Sequence, residues 1–185
     1  RAFMVTVDGE HEHSVELTAS PVRGPSNSIS GAVVVFHDVG ELRGLTRKMS
    51  YQATHDPLTG LINRREFERR LDEAMDTAHA EETAHMLFYM DLDRFKSVVD
   101  TYGHLNGSRT IKEVGTTIRE TLEKPAYAVA YAGDEFVAIL PDVDEDQAMD
   151  VAQRLLDTTR HSPFTGDEGV EVQLSLSIGV ATFPQ

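Results

Sequence analysis

The sequence predicts an α+β protein in which a central, antiparallel-rich sheet is flanked by helices. From Met86 onward, strand and helix patterns follow one another in the order βααββαβ, and two of the strands are separated by a tight turn at 132–135. Strands joined by so short a turn pair antiparallel, and the interspersed helices then cover the sheet. This order leads us to expect the helices on one face of the sheet. Short strand patterns over residues 3–36 predict a separate N-terminal piece.

The N-terminal piece consists of three strand patterns. Apolar residues alternate in the first two, which a hairpin signal at Asp8-Gly9 separates, and the third is the apolar run 31–36. Three short strands do not close a core by themselves. With the following His37-Asp38-Val39, this segment resembles the last strands of a PAS sensor domain. The resemblance assigns residues 1–39 to the C-terminal part of such a domain.

Residues 40–54 predict a helix, because Leu42, Leu45, Met49 and Ala53 recur at helical spacing. Two interpretations remain open. The helix either packs on its own domain or forms a signalling coiled coil that joins a sensor to an output domain. The pattern covers fewer than two heptads, which is too short to establish a coiled coil. The resemblance to chains that place such a linker after a PAS domain favours the second interpretation.

The remaining residues, 55–185, carry the elements of the second domain. Asn63 is the predicted N-cap of its first helix. The predicted elements are a helix over 63–80, a strand over 86–92, helices over 95–102 and 107–122, strands over 127–131 and 136–140, a helix over 144–160 and a strand over 170–182.

Charge is distributed unevenly along the chain. The net charge is −14, and residues 1–50 hold five Lys and Arg against six Asp and Glu, which leaves twelve against twenty-five in residues 51–185. An acidic domain repels nucleic acid and anionic lipid, since both require a basic surface. It binds a nucleotide only with a divalent cation between them. The chain has no cysteine, no apolar run long enough for a membrane span and no visible signal peptide, so we expect a cytoplasmic protein.

Two acidic clusters stand at strand ends. Asp91 and Asp93 close an apolar strand, and Asp134 and Glu135 occupy the tight turn. A carboxylate at the end of a buried strand is costly unless it is hydrated, paired or bound to a cation. Either cluster alone fits a solvated turn. Together, on adjacent strands, they predict an oxygen-ligand site for Mg²⁺ or Mn²⁺.

Four motifs in order identify a family that the chain resembles. They match the pattern of GGDEF domains, a palm-like fold of nucleotidyl cyclases, with Ala in the first Gly position of the signature loop. The motifs are His55-Asp56-Pro57-Leu58-Thr59-Gly60-Leu61-Ile62-Asn63-Arg64-Arg65, Asp91-Leu92-Asp93-Arg94-Phe95-Lys96 with Asp100-Thr101-Tyr102-Gly103-His104, Ala132-Gly133-Asp134-Glu135-Phe136 and Ser177-Ile178-Gly179-Val180-Ala181.

The resemblance implies an activity and a role for each residue. Two purine nucleoside triphosphates would be condensed into a 3′,3′-cyclic dinucleotide with release of pyrophosphate, by a homodimer of GGDEF domains and with Mg²⁺ or Mn²⁺ as cofactor. Asp134 would also help to deprotonate the attacking 3′-hydroxyl. The implied residues are Asp134 and Glu135 for catalysis, Asp91, the Leu92 carbonyl, Asp134 and Glu135 for the metal, Arg94, Phe95 and Lys96 for the phosphates, and Val99, His104 and Ser108 for the nucleotide base.

Two departures from the family pattern concern the base. Guanine-specific members carry Asn and Asp where this chain has Val99 and Ser108. A serine hydroxyl both donates and accepts hydrogen bonds and so suits guanine or adenine. The chain therefore resembles the subgroup that makes cyclic GMP–AMP, and we expect both GTP and ATP as substrates. The alternative is a decayed pocket in an inactive module that binds nucleotide and regulates an attached domain.

Two further family features are absent from the sequence. The Arg-x-x-Asp motif of product inhibition is replaced by Glu123-Lys124-Pro125-Ala126, so we expect no inhibitory site. The sequence ends at Gln185, before the position of the family's last helix and its phosphate-contacting Lys and Arg. We therefore expect the GGDEF domain over 55–185 to be incomplete at its C-terminal end.

Overall fold

The structure is a computed structural model that describes residues 2–7, 11–25, 27–81, 83–165, 169 and 171–183. The chain divides into two compact units, Arg1–Gln52 and Ala53–Gln185. Within the described residues, no helix has the length and apolar character needed to cross a membrane.

The first unit is a three-stranded antiparallel sheet followed by a helix. Its strands lie in the order β1-β2-β3, and helix α1 follows them; the bounds are β1 Ala2–Val7, β2 His11–Arg23, β3 Ile29–Asp38 and α1 Gly40–Thr54. The predicted turn at Asp8-Gly9 lies outside the described residues. Asp38 Oδ1 accepts a hydrogen bond from the Gly40 amide (2.9 Å) and so supports the start of α1. Leu45 and Met49 of α1 are exposed.

The second unit contains a five-stranded sheet with the order β10-β5-β7-β6-β4. All neighbours pair antiparallel except β4 and β6, which are parallel. This confirms the predicted α+β class with an antiparallel-rich sheet. The bounds are β4 Ile62–Asn63, α2 Arg64–Glu81, β5 His85–Leu92, α3 Phe95–Thr121, β6 Tyr127–Ala132, β7 Glu135–Leu140, α4 Glu145–His161, β8 Phe164–Thr165, β9 Glu171–Val172 and β10 Leu176–Phe183.

Helices cover both faces of this sheet, so the expectation of helices on one face is wrong. Phe88 and Phe136 belong to the core on the side of α3 and α4. On the opposite side, Val137 and Ile139 pack with Phe67 of α2. The physical reason lies in β7, whose last five residues are all buried and apolar. A strand that is apolar on both faces requires cover on both.

Helix α2 begins as predicted. Asn63 precedes its first residue, and the Asn63 Oδ1 atom accepts a hydrogen bond from the Glu66 amide (2.9 Å). This satisfies one of the amides that have no partner within the first turn of a helix.

Helix α3 differs from its prediction. Residues 95–121 form one helix with a kink at Gly103, where the backbone is not helical (φ 81°, ψ 167°). Residues 104–106, predicted as part of a break between two helices, are helical. A positive φ at one glycine is enough to redirect the chain without a loop.

The predicted strand over 170–182 is divided. Glu171 and Val172 pair with β8, whereas β10 begins at Leu176 and pairs with β5. Between them, the Ser175 carbonyl accepts a hydrogen bond from the Asp93 amide (2.9 Å). The hydroxyls of Ser175 (2.5 Å) and Ser177 (2.6 Å) donate to the Asp93 carboxylate. These contacts hold the chain away from a continuous strand.

Gly107 allows the two segments of α3 to approach each other. A Cβ atom at Gly107 would lie 2.9 Å from Val99 Cγ2 and 3.3 Å from Phe95 Cζ. We expect Gly107→Ala to destabilise the protein by about 1–3 kcal/mol through overpacking, despite the better helix propensity of alanine. Urea unfolding measures this. Val99→Ala in the same chain should restore part of the loss; full additivity of the two changes would contradict the contact.

Glu66 anchors an ion-pair cluster on α2. Its carboxylate accepts hydrogen bonds from Arg69 (2.8 and 3.0 Å) and Arg70 (2.7 Å), and the Glu66 side chain is only 10% exposed. The hydrogen bonds from Arg69 and then Arg70 lower the pKa of Glu66 to about 2. Arg70 also stacks over the Tyr127 ring, with its guanidinium carbon 5.5 Å from the ring centre.

Because the pKa of Glu66 is lower in the folded state, the cluster stabilises the fold above the ordinary value of 4.5 and loses this effect as the pH falls toward about 2. We expect Glu66→Gln to cost about 1 kcal/mol at pH 7, since water screens the half-exposed arginines. The difference in the free energy of unfolding between Glu66→Gln and the parent, measured by urea unfolding, should narrow between pH 5 and pH 3. Glu68→Gln, in the exposed pair with Arg64, is the control and should change little; a difference that is independent of pH would contradict the assignment.

Candidate active site

Three carboxylates meet at one end of the central sheet. Asp91 near the end of β5 is the direct cross-strand partner of Glu135 at the start of β7. Side chains in such a pair have Cβ atoms about 5 Å apart. Asp134 directly precedes Glu135 in the turn that joins β6 to β7. The pairing of β5 with β7 thus brings together the two acidic clusters that the sequence singled out.

The turn before Glu135 depends on a glycine. Gly133 has φ 59°, a left-handed conformation that favours glycine. Among the described residues, apart from its two chain neighbours, no atom lies within 4 Å of the position that a Cβ atom would take there. The space above the turn is therefore open. Asp134 and Glu135 are half-buried beside it.

The surroundings of Asp91 raise the proton affinity of its carboxyl group. Although Asp91 as a residue is exposed, desolvation at the strand end raises the pKa of its carboxyl group, and the negative charges of Asp134, Glu135 and Asp93 raise it further. Repulsion of this kind is relieved by a bound cation.

Tyr89, which sequence reasoning missed, lies on the same strand face as Asp91. Burial and a hydrogen bond with Glu135 raise the pKa of Tyr89. Its spacing of two residues from Asp91 was the signal that could have found it.

Asp93 plays a different part from Asp91. The hydrogen bonds donated by Ser175 and Ser177, followed by the charge of Arg94, lower the pKa of Asp93. Its carboxylate is therefore ionised and already satisfied by protein groups. The contacts tie the start of β10 to the end of β5, which gives Asp93 a structural role beside the site.

The donor set fits a magnesium or manganese ion completed by a ligand. Among the described residues, no three Asp, Glu, His or Cys side chains are arranged to hold a metal by themselves. Mg²⁺ in nucleotide sites takes one or two carboxylates, and phosphates and water supply the rest. Asp91, Asp134 and Glu135 offer such carboxylates. The Leu92 side chain is buried in the core, so Leu92 can contribute only its backbone carbonyl.

The start of α3 is suited to an anion. Arg94 at the N-cap has a left-handed backbone (φ 58°) and no side-chain hydrogen bond that caps the helix. Phe95 and Lys96 form its first turn, where backbone amides have no partner within the helix and the helix dipole favours negative charge. The side chains of Arg94 and Lys96 are exposed. The predicted phosphate-binding residues thus lie three to five positions after Asp91.

A cleft of about 800 Å³ is lined by residues from both the carboxylate cluster and the start of α3. Asp91 and Arg94 are the predicted site residues that line it, whereas Asp134 and Glu135 do not. Sequence reasoning missed Arg160, which lines the cleft from α4. No signal in the sequence indicated Arg160, because it is distant from every motif.

The predicted base-binding residues lie on both sides of the Gly103 kink. Val99 lies on the first segment of α3 and packs on Gly107 of the second, next to Ser108. Val99 and Ser108 are half-buried, whereas His104 is exposed at the kink. Val99 thus packs on the residue that precedes Ser108, and none of the three predicted base-binding residues lines the 800 Å³ cleft.

The segment at the position of the inhibitory motif forms an internal ion pair. Glu123 Oε1 accepts a hydrogen bond from Arg154 of α4 at 2.9 Å. Both residues line a cavity of about 750 Å³ that also contains Asp142, Asp150 and Asp157. Four acidic side chains and two basic ones, Lys124 and Arg154, line the cavity, so its lining carries a net negative charge.

Comparison with known sequences gives a family match over most of the chain. The family model "Diguanylate cyclase, GGDEF domain" matches residues 53–185. The probable diguanylate cyclase DgcE of Escherichia coli K12 is 33% identical over 168 residues, which cover 91% of this chain and 15% of DgcE. The uncharacterized protein YhcK of Bacillus subtilis is 35% identical over 144 residues, which cover 76% of this chain and 39% of YhcK. The chain thus spans well under half the length of either relative.

Solved structures share the fold. One is the coiled coil and GGDEF domain of DgcB from Caulobacter crescentus in complex with c-di-GMP. It is 28% identical in sequence, with a TM-score of 0.73, and the match covers 79% of this chain and 78% of the DgcB chain. Another is diguanylate cyclase SiaD from Pseudomonas aeruginosa in complex with its activator SiaC. It is 28% identical in sequence, with a TM-score of 0.70, and the match covers 78% of this chain and 55% of the SiaD chain. With the family match, these likenesses show that the chain belongs to the GGDEF family of diguanylate cyclase domains.

Proposed function

We propose that this chain is a nucleotidyl cyclase that condenses two purine nucleoside triphosphates into a 3′,3′-cyclic dinucleotide and releases pyrophosphate. One observation carries the proposal. Asp91, Asp134 and Glu135 converge at the strand ends that lead into the uncapped N-terminus of α3. Carboxylates for a cation next to amides for an anion are what a triphosphate–metal complex requires.

The cation would be Mg²⁺ or Mn²⁺, held by Asp91, the Leu92 carbonyl, Asp134 and Glu135. When bound, it would stabilise the negative charge that builds up on the α-phosphoryl group and on the leaving pyrophosphate. The fit rests on the donor types and on the raised pKa of Asp91.

The protein groups hold the reactants and move a proton. The backbone amides around Arg94 and Phe95, together with Lys96, bind the β- and γ-phosphates. Asp134 accepts the proton of the attacking 3′-hydroxyl. The 3′-oxygen forms a bond to the α-phosphorus of the other nucleotide, and the bond from that phosphorus to pyrophosphate breaks. A second, reciprocal attack closes the ring.

The two attacks require two domains that face each other, since each holds one triphosphate. We therefore propose a homodimer, with the linker over 40–54 raising the local concentration of the second domain. The exposed Leu45 and Met49 of α1 support this role. Residues 1–39 would be the C-terminal part of a PAS sensor domain and 55–185 the GGDEF domain.

Base choice is the second part of the proposal. Ser108 presents a rotatable hydroxyl and Val99 an apolar side chain, so the pocket would accept GTP and ATP and yield cyclic GMP–AMP beside cyclic di-GMP. The packing of Val99 on Gly107, adjacent to Ser108, supports a shared wall for the base.

The competing function is an inactive module that binds nucleotide and regulates an attached domain. Incubation of the chain with single and paired NTPs and Mg²⁺, followed by mass spectrometry, separates the two functions. We expect cyclic dinucleotide and pyrophosphate. Nucleotide binding without either product would establish the inactive module instead.

We expect no product inhibition through the 123–126 segment. Glu123 is already paired with Arg154, and the net negative charge of the residues that line that cavity repels a cyclic dinucleotide. Calorimetry with cyclic di-GMP should give no submicromolar binding that Glu123→Ala removes. Tight binding abolished by that variant would contradict the expectation; Glu120→Ala, an exposed change on α3, serves as the control.

A further inference from the structure

The C-terminal end of α4 brings an unassigned basic side chain to the cleft that contains Asp91 and Arg94. Arg160 lies in the last turn of α4 and lines this cleft together with Ser97 and Val98 of α3. Arg160 is exposed, and among the residues that the structure describes no carboxylate forms an ion pair with it.

A basic residue in the last turn of a helix has a simpler explanation, because the helix dipole favours positive charge there. His161 fits that explanation, since its Nδ1 atom lies 2.7 Å from the Asp157 carbonyl of the same helix. Arg160 makes no such contact and lines the cleft instead. The two neighbouring residues are therefore placed differently.

The charges of the cleft make a cation useful at this place. Asp91 and Asp93 contribute carboxylates to the cleft, and Asp93 is already satisfied by two serine hydroxyls. A triphosphate tail that extends past the start of α3 would face these carboxylates unless cations accompany it. Arg94 supplies one guanidinium, and Arg160 supplies a second from α4.

We propose that Arg160 is a phosphate-binding residue that contacts the β- or γ-phosphate of the nucleoside triphosphate, an inference that rests on the proposed function. A planar guanidinium donates two parallel hydrogen bonds to phosphate oxygens, which an ammonium group does not. Arg160 therefore recognises the polyphosphate and leaves the base and ribose to other residues.

The test compares Arg160→Gln with Arg154→Gln, an arginine of the same helix that is paired with Glu123 away from the cleft. Calorimetry with Mg²⁺ and α,β-methylene GTP, an unreactive triphosphate, and with GMP measures affinity without turnover. We expect Arg160→Gln to weaken binding of the triphosphate on the order of tenfold and to leave GMP unchanged. Arg160→Lys should recover part of the loss, and Arg154→Gln should match the parent.

Equal affinities of parent and Arg160→Gln for the triphosphate would overturn the proposal, as would equal losses in both glutamine variants, which would indicate a general effect of net charge. Product formation from GTP and ATP by the parent is read separately. Its absence rejects the proposed cyclase, whereas the affinity difference still decides the role of Arg160. A parent that does not bind the triphosphate at all would reject both.

Discussion

Asp134→Asn should reduce cyclic dinucleotide formation at least about 1000-fold. The amide cannot accept the proton of the 3′-hydroxyl and is a poor ligand for a hard divalent cation. The fold should survive, because Asp134 is a half-buried turn residue rather than part of the core. Removal of its charge also relieves the repulsion that raises the pKa of Asp91.

Three measurements make this prediction specific. Turnover is measured with Mg²⁺ and with Mn²⁺. The melting temperature of the apoprotein should differ from that of the parent by no more than about 2 °C. The rise in melting temperature on addition of Mg²⁺ with α,β-methylene GTP should be smaller than in the parent. Asp150→Asn, an exposed change on α4, is the matched control and should behave as the parent. Turnover of Asp134→Asn within about tenfold of the parent would remove Asp134 from the proposed chemistry.

Much of the second unit could be predicted because its local signals agree with its tertiary structure. The turn at 132–135 and the Asn63 cap are read from neighbouring residues, and both are present in the fold. The parallel strand β4 could not be predicted, because it has two residues and is defined only by its pairing with β6. The cover of both sheet faces depends on where α2 packs, which its own periodicity does not specify.

The candidate site shows the same division. Strand ends rich in aspartate indicated where the carboxylates lie along the chain. The alignment of Asp91 with Glu135 depends on the register of β5 and β7, and a slip of one residue would send one side chain to the opposite face. Arg160 is brought to the cleft by the length and packing of α4. Such placements follow from the assembled core and carry no motif of their own.

Ser108→Asp should change the product mixture most, because guanine-specific members of the family carry aspartate at this position. Aspartate accepts hydrogen bonds from guanine N1–H and the 2-amino group, whereas adenine presents an acceptor at N1 and would leave the charge unpaired. A half-buried site such as Ser108 makes that mismatch costly. The native hydroxyl rotates to suit either base, so its preference should be only about 1–2 kcal/mol, roughly ten- to thirtyfold.

Equimolar GTP and ATP with Mg²⁺, read by mass spectrometry, tests this difference. We expect the parent to form cyclic GMP–AMP as a substantial product, and Ser108→Asp to shift the mixture at least about tenfold toward cyclic di-GMP, further still when Val99→Asn is combined with it. Ser108→Thr keeps the hydroxyl and should keep the mixture, which separates hydrogen bonding from the effect of altering the site. Cyclic di-GMP as the sole product of the parent would show that Ser108 does not relax base choice. If all three variants retained the parent's mixture, discrimination between the bases would have to reside at residues other than Val99 and Ser108, because only the charge and size of these two side chains differ among the variants.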